Sequence, residues 1–240
     1  MLSKNQVKHI RQLSKKKYRQ ESRMFVAEGE KVVCELLNSG WKAEAIYAAR
    51  EFKGIPHTMV HPTVLDKITH LSSTSPLLGL FKIPQYDVPL DHKAGFSVAL
   101  DSIADPGNLG TIIRLCHWFG IKDLFCSPNT VDCFNPKVIQ STMGSIARVR
   151  CHYLDLAPLV ENYGSDVYAT SLKGSSHYVQ SFPSNGLLVM GSESHGISET
   201  LLKKIKKQIT IPNLSQGTTA ESLNVANATA ILLNEIFRPQ

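Results

Sequence analysis

The feature that most constrains this chain is the alternation of short apolar runs and helical segments that begins at Phe96. Each run has the length of a strand and stops at turn-forming residues. The predicted strands are Phe96–Leu100, Asp123–Cys126, Ala147–Cys151, Asp166–Thr170, Leu187–Met190 and Gln208–Ile211. Such alternation is typical of a mostly parallel sheet with crossover helices, so we predict an α/β fold.

The last two predicted strands end at loop-forming residues. Leu187–Met190 stops at Gly191, and Gln208–Ile211 stops at Pro212. Because ligands of open α/β sheets bind outside the carboxyl ends of strands, the loops 191–196 and 220–226 are the candidate site.

The predicted final helix is apolar on nearly all sides. It runs from Leu223 to Phe237 and carries one polar stripe, formed by Asn224, Asn227, Asn234 and Glu235. One sheet cannot cover so much apolar surface, so we predict a homodimer.

The N-terminal part predicts a small α/β unit. Ser3 and Gln6 have the spacing of a capping box, which indicates a short first helix. Further on we predict strands at 24–26 and 45–48 and helices at 28–38 and 64–68. The stretch 81–95 contains two prolines and no periodicity, which is typical of a linker. The predicted domains are 1–83, a linker 84–95, and 96–240.

The positive charge of the chain is concentrated at its start. The net charge is +6, yet residues 1–23 hold eight basic side chains and one acidic one. An excess of this kind on an otherwise neutral chain is the pattern expected for phosphate contacts, although a solvated face is the alternative. The candidate RNA-binding residues are Lys4, Lys8, Arg11, Lys15, Lys16, Lys17 and Arg19.

Several classes of protein are disfavoured by the sequence. No apolar run reaches the ~18 residues of a membrane helix, and the basic N-terminus lacks the apolar core of a signal peptide, so we expect a soluble, cytoplasmic protein. The five cysteines form no C-x-x-C pair, so we predict free thiols and no metal site. The turn 101–110 lacks the dinucleotide-binding glycines, no phosphate-binding loop is present, and 191–196 is not a nucleophile elbow.

Three motifs in order carry a family resemblance. They are DPGNLGTIIR at 105–114, G-x-E-x-x-G at 191–196, and Ile-Pro at 211–212 followed by ESLNVA at 221–226. Together they resemble the motifs of the SpoU (TrmH) family of RNA ribose 2′-O-methyltransferases. The segment 127–145 and the sequence FVAEG at 25–29 also resemble the family, the latter its RNA substrate-binding domain.

The resemblance implies a SPOUT fold, in which the C-terminal segment forms a deep trefoil knot. It also implies S-adenosylmethionine as cofactor, held largely by the backbone of the second and third motif loops. The matching positions in this sequence are Gly191, Ile211 and Leu223, together with Thr170 at the end of the preceding predicted strand.

The same resemblance places Arg114 at the catalytic centre. A guanidinium stays protonated in proteins, so we expect it to hold phosphate and polarise the hydroxyl rather than act as a base. Asn108 and Glu193 match residues that would fix the loops and Arg114, while Ser222 and Asn224 would face the reacting ribose. The alternatives are a structural ion pair for Arg114 and a helix N-cap role for Ser222.

Two further functions stay open at this point. One is methylation of a base nitrogen by the same knotted fold, and the other is an RNA-binding module without catalysis. The loop 213–220 is longer than the family's usual connection, which could reshape the pocket for the target ribose. Whether the RNA is ribosomal or transfer RNA does not follow from the sequence.

Overall fold

The computed structural model describes residues 2–88, 95–163, 166–215 and 222–238. Two compact units are described here separately: residues 1–85 with 132–148, and residues 86–131 with 149–240. The predicted domain boundaries stay a prediction, and half of the linker 84–95 and most of the loop 213–220 lie outside the described residues. The segment 132–148, which we had assigned to the C-terminal domain, packs in the first unit.

A four-stranded sheet of order β1-β4-β2-β3 forms the centre of the first unit. Its strands are β1 (Met24–Glu28), β2 (Ala43–Ala48), β3 (Thr58–Met59) and β4 (Leu77–Lys82). β4 pairs antiparallel with both β1 and β2, so it is an interior strand. β4 is not among the predicted strands, and the stretch 81–95 that resembles a linker begins inside it, at the fully buried Phe81.

Four helices surround this sheet. They are α1 (Lys4–Gln12), α2 (Lys16–Ser22), α3 (Glu30–Asn38) and α4 (Pro62–Ile68). The predicted capping box is present, since Ser3 and Gln6 bond to each other's backbone N–H. Ile10 and Leu13 are buried in one cluster with Leu65 of α4, so the apolar stripe of the first helix anchors the N-terminal arm.

Residues 132–148 complete the first unit. They contain α6 (Pro136–Ser141) and a 3₁₀ turn at Ser145–Ala147. The ring of Phe134 lies 4.9 Å from that of Phe25. Gly144 has a φ of +95°, and a Cβ there would lie 2.8 Å from the Cβ of Glu35, so a glycine is needed where this segment crosses α3.

The second unit is built on a six-stranded sheet of order β10-β8-β9-β5-β6-β7. All five neighbouring pairs are parallel, which confirms the predicted α/β class. The strands are β5 (Phe96–Asp101), β6 (Asp123–Cys126), β7 (Arg150–Tyr153), β8 (Val167–Ser176), β9 (Gly186–Gly191) and β10 (Lys207–Thr210). No observation here tests the knot, which stays a prediction.

Two predicted strands of this unit have a bound that differs by more than one residue. β7 starts at Arg150 rather than Ala147, because residues 145–147 form the 3₁₀ turn. β8 continues to Ser176, beyond the predicted end at Thr170. Tyr168 and Ala169 pair with both β9 and β10, whereas Ser175 and Ser176 pair with β10 after a register shift.

The helices of the second unit are α5 (Pro106–Trp118), α7 (Leu156–Tyr163), α8 (Glu199–Leu202) and α9 (Val225–Ile236). α5 and α9 pack on each other. The five cysteines are free, as predicted, and burial raises the pKa of the Cys116 thiol to about 12. Among the described residues, no helix is long and apolar enough to cross a membrane, and no cluster of His, Cys, Asp and Glu could hold a metal ion.

Candidate active site at the carboxyl edge of the parallel sheet

The carboxyl ends of β5 and β9 lie side by side, because Asp101 pairs in register with Gly191. The loop after β5 leads into α5, whose N-cap is Asp105. The Asp105 carboxylate accepts the Asn108 N–H at 2.8 Å, and Pro106 occupies the first turn, where its missing N–H costs nothing. The sequence of the first motif thus fixes the start of the helix that carries Asn108 and Arg114.

Three predicted site residues form one hydrogen-bonded chain. Asn108 donates from Nδ2 to Oε1 of Glu193. Its Oδ1 accepts from Nδ2 of Asn224 at 2.9 Å. The Oδ1 of Asn224 in turn accepts the N–H groups of Ala226 and Asn227 at 3.0 and 3.3 Å, which caps α9. The three motif loops, which are far apart in sequence, are therefore joined by side-chain hydrogen bonds, with one donor and one acceptor at each step.

The loop after β9 is closed on itself. Ser192 and Gly196 exchange two backbone hydrogen bonds, of 3.1 and 2.8 Å, and Gly196 has a φ of +67°. A Cβ on Gly191 would overlap the backbone of Gly196 and Ile197. Glycine is therefore required at position 191, because the backbone of this same loop leaves no room for a side chain.

Arg114 lies on the exposed side of α5. Within the part of the chain that the structure describes, its guanidinium has no hydrogen-bond or ion-pair partner. The alternative of a structural ion pair therefore has no support among these residues, and the five N–H donors of the side chain face solvent.

The other candidate residues are Ser222 and the three residues assigned to the cofactor. Ser222 is exposed and is not the helix N-cap, because Asn224 takes that position. Leu223 is 50% exposed, and Ile211 is half-buried just after β10. Thr170 lies inside β8 rather than at its end, and its hydroxyl donates to the Val189 carbonyl at 3.3 Å. Whether Ile211, Leu223 and Thr170 touch a cofactor stays a prediction.

The sequence analysis gave no role to Asp101, which is only 6% exposed. Its Oδ2 accepts the Ser198 N–H at 2.8 Å, and its Oδ1 accepts the Ser102 hydroxyl at 3.1 Å. The signal that could have revealed Asp101 is its place in the sequence, as an acidic residue at the end of an apolar strand.

The basic residues of the arm divide into two kinds. Six of the seven candidates are exposed: Lys4, Lys8, Arg11, Lys15, Lys16 and Lys17. Arg19 is only 2% exposed, donates from Nη1 to the carbonyl oxygens of Leu13 and Ser14, and pairs with Asp132 at 2.6 Å. The prediction that Arg19 binds RNA is therefore wrong, because its charge and donors are already used inside the first unit.

Comparison with known proteins agrees with this geometry. The SpoU rRNA Methylase family matches residues 95–234, and the MRM3-like substrate binding domain matches residues 4–79. The 23S rRNA (guanosine(2553)-2′-O)-methyltransferase RlmP of Bacillus subtilis is 30% identical over 96% of both chains.

Solved structures give the same picture. An AdoMet-bound rRNA methyltransferase from Sinorhizobium meliloti has a TM-score of 0.85 and 32% identity, and covers 99% of this chain and 97% of its own. A TrmH-family structure from Porphyromonas gingivalis has a TM-score of 0.86 and 34% identity over 98% of both chains.

The parallel sheet and the joined motif loops define a methyltransferase class of α/β protein. The chain belongs to the SpoU family of RNA methyltransferases, so the predicted family, enzyme class and N-terminal substrate-binding domain are confirmed.

Proposed function

We propose that the protein transfers the methyl group of S-adenosylmethionine to a ribose 2′-hydroxyl in structured ribosomal or transfer RNA. The observation that carries the proposal is the hydrogen-bonded chain from Glu193 through Asn108 to Asn224. It lies beside a helix whose exposed Arg114 has no partner among the described residues. The activity of the Bacillus subtilis relative, 2′-O-methylation of a guanosine in 23S rRNA, supports ribose as the acceptor.

The residues at the strand ends fit this cofactor by their chemistry. Leu223 offers an exposed apolar side chain and Ile211 a half-buried one, next to loop backbone that closes tightly at Gly191. Apolar surface with a few backbone polar groups suits an adenine ring, and no basic side chain is needed for a ligand that is itself cationic. When bound, S-adenosylmethionine supplies an electrophilic methyl group. We assign Gly191, Ile211 and Leu223 to its binding, with Thr170 as a fourth candidate.

The protein's own part in the reaction is alignment and the handling of charge. In-line displacement requires the attacking oxygen to be held in one orientation. We assign to Arg114 the phosphate next to the target ribose and the charge that develops on its oxygen, since a guanidinium offers a planar fork of donors but no base. Asn108 and Asn224 have fixed amide orientations, because each is held at both ends, and can therefore position a hydroxyl. Ser222 faces solvent at the same edge and is assigned to the ribose.

The test compares the products of methylation. Ribosomal and transfer RNA from cells lacking the gene are incubated with the protein and labelled S-adenosylmethionine, then hydrolysed by alkali and, separately, digested to nucleosides. Label in alkali-resistant dinucleotides is expected, because a 2′-O-methyl group blocks cleavage. Label in a methylated base would favour the base-nitrogen alternative, and cofactor binding without label in any RNA would favour the non-catalytic module. Arg114→Ala is the control for a contaminating activity.

We also propose that the protein is a homodimer that pairs through the outer face of α5 and α9. Trp118 at the end of α5 is 84% exposed, and Ile231 and Phe237 at the other helix are 39% and 40% exposed. The ring of Phe237 stacks on Phe119 at 5.4 Å, so these apolar groups form one surface. Exposed apolar surface of this kind marks an interaction site. Light scattering is expected to show a dimer at micromolar concentration, and Trp118→Glu a monomer; a monomeric wild type contradicts the proposal.

A further inference from the structure

The buried carboxylate of Asp101 lies where the first two motif loops begin. It is the last residue of β5, in register with Gly191 at the end of β9. Among the described residues, no Lys, Arg or His forms an ion pair with it. A buried carboxylate without a cation is costly, and natural proteins retain such groups when their hydrogen bonds have a specific use.

The two oxygens of Asp101 reach in two directions. Oδ2 accepts the backbone N–H of Ser198, which is 97 residues further along the chain, at 2.8 Å. Oδ1 accepts the hydroxyl of Ser102 at 3.1 Å. Ser198 ends the loop of the second motif, and Ser102 begins the loop of the first. One carboxylate is therefore bonded to both loops.

Ser102 has a left-handed backbone, with a φ of +62°, which is uncommon for a residue with a side chain. Its N–H donates to the Oγ of Ser127 at 2.8 Å, and Ser127 is itself 7% exposed. The turn is thus held by Ser127, which follows β6, and by Asp101, the last residue of β5. Such backbone persists only where its neighbours fix it.

Two connections join the β9 loop to the rest of the site. The outer one is the bond from Asn108 to Glu193 in the middle of the loop, where both side chains are accessible. The inner one is the bond from the Ser198 N–H to the buried Asp101 carboxylate at the end of the loop. The two bonds fix the loop at two points, its middle and its end, and the inner bond is the one that holds backbone directly.

We infer that Asp101 is a positioning residue, which clamps the Gly191–Ser198 loop so that its backbone is preorganised for the cofactor. The inference rests on the proposed function, because it assigns that loop to S-adenosylmethionine. It predicts that the acceptor oxygen of residue 101 is what matters, since hydrogen bonds to the backbone N–H and to a hydroxyl can both be made by an amide.

The test uses the full chain with Asp101→Ala, Asp101→Asn and Ser198→Ala. Ser198→Ala is the matched control, because it keeps the N–H and removes a side chain that caps nothing in α8. Hydrogen exchange of residues 192–198 is measured without cofactor, with β6 and β7 as internal reference, and calorimetry measures affinity for S-adenosylmethionine.

Asp101→Ala should speed exchange in 192–198 and weaken cofactor affinity, each by about tenfold or more, with the reference strands unchanged. Asp101→Asn should restore most of the loss, and Ser198→Ala should match the wild type. Unchanged loop exchange in Asp101→Ala, or a loss in Asp101→Asn as large as in Asp101→Ala, would overturn the inference. If Asp101→Ala does not fold, Ser198→Pro tests the same bond, because proline fits the φ of −56° at position 198 and removes the N–H donor. Loop exchange as slow as in the wild type would then overturn the inference. A wild type that binds no S-adenosylmethionine contradicts the proposed function, whereas loop exchange still tests the clamp.

Discussion

Asn224 and Asn108 are 116 residues apart in sequence, and the amide of Asn224 donates to that of Asn108 at 2.9 Å. Asn108 in turn donates from its Nδ2 to Glu193, so all the side-chain hydrogen bonds of this series point from Asn224 towards Glu193. The amide of Asn108 accepts from one neighbour and donates to the other, whereas a carboxylate at position 108 could only accept.

The first prediction is that Asn108→Asp lowers the rate of methyl transfer more than the same substitution at a nearby exposed asparagine. The new carboxylate would face Glu193, and like charges at hydrogen-bond distance repel, so the β9 loop is pushed off its position. We expect kcat/KM to fall about tenfold or more, measured with a transcript of the substrate RNA. Asn227→Asp is the control, because it is exposed on α9. Equal activity of the two variants would contradict the prediction.

The second prediction separates two arginines that look alike in sequence. Arg114→Ala should change stability by no more than about 0.5 kcal/mol, because the side chain is exposed, yet lose most methyl transfer. Lysine should not restore it, since a point charge cannot copy the planar fork. Arg19→Ala should lower the free energy of unfolding by about 3 kcal/mol. It would leave the Asp132 carboxylate, which is 14% exposed, and two carbonyl oxygens without the donors that Arg19 supplies. Denaturant titration and methyl transfer on both variants check this, and near-normal turnover in Arg114→Ala would refute it.

These two arginines also show what a sequence can predict. Periodicity predicted where the second unit's strands lie along the chain and that their sheet is parallel, since apolar runs bounded by Gly and Pro are a local signal. Motif residues such as Asn108, Glu193 and Asn224 could be expected to meet at the carboxyl edge. Arg19 could not be separated from its exposed neighbours, because its partner Asp132 is 113 residues away.

Other misses have equally local causes. β4 lies beside a proline-containing stretch, and its apolar residues Leu77–Phe81 carry no alternation because the strand is buried along its length. No role could be predicted for Asp101, because acidic residues are common where a strand ends in a loop. Its hydrogen bond to the distant Ser198 is visible only in the structure.

The third prediction concerns the basic arm. Deleting residues 1–19 would remove the buried Ile10, Leu13 and Arg19, so it would damage the first unit instead of testing its charge. Changing Lys4, Lys8 and Arg11 to Gln leaves the apolar stripe of α1 intact.

If these three side chains contact phosphates, the slope of log affinity against log salt should become shallower by up to about 0.9 per lost contact. Filter binding over a salt series measures it. Lys31, Lys53 and Lys67, which are exposed in the same unit, give a control with equal loss of charge when changed to Gln. Equal slopes in both triple variants would mean that the arm acts only through its net charge.

The fourth prediction is a pH dependence of stability that originates at Asp123. Burial alone would raise the pKa of this carboxyl, but hydrogen bonds from His152 at 2.7 Å and Arg150 at 2.6 Å outweigh it and hold the pKa below the usual 3.8. A group whose folded-state pKa is depressed stabilises the fold above its unfolded-state pKa and loses that effect as the pH falls through the folded-state value.

Asp123→Asn should therefore be less stable than the wild type at pH 7 and pH 5, and the gap should narrow once the pH drops below about 4. Urea titrations at pH 7, 5 and 3 measure the free energy of unfolding of both proteins. Asp87→Asn, at an exposed position of the same unit, should leave the curve unchanged at each pH. A gap that stays constant down to pH 3 would show that packing around residue 123, rather than the charge of its carboxylate, determines the loss.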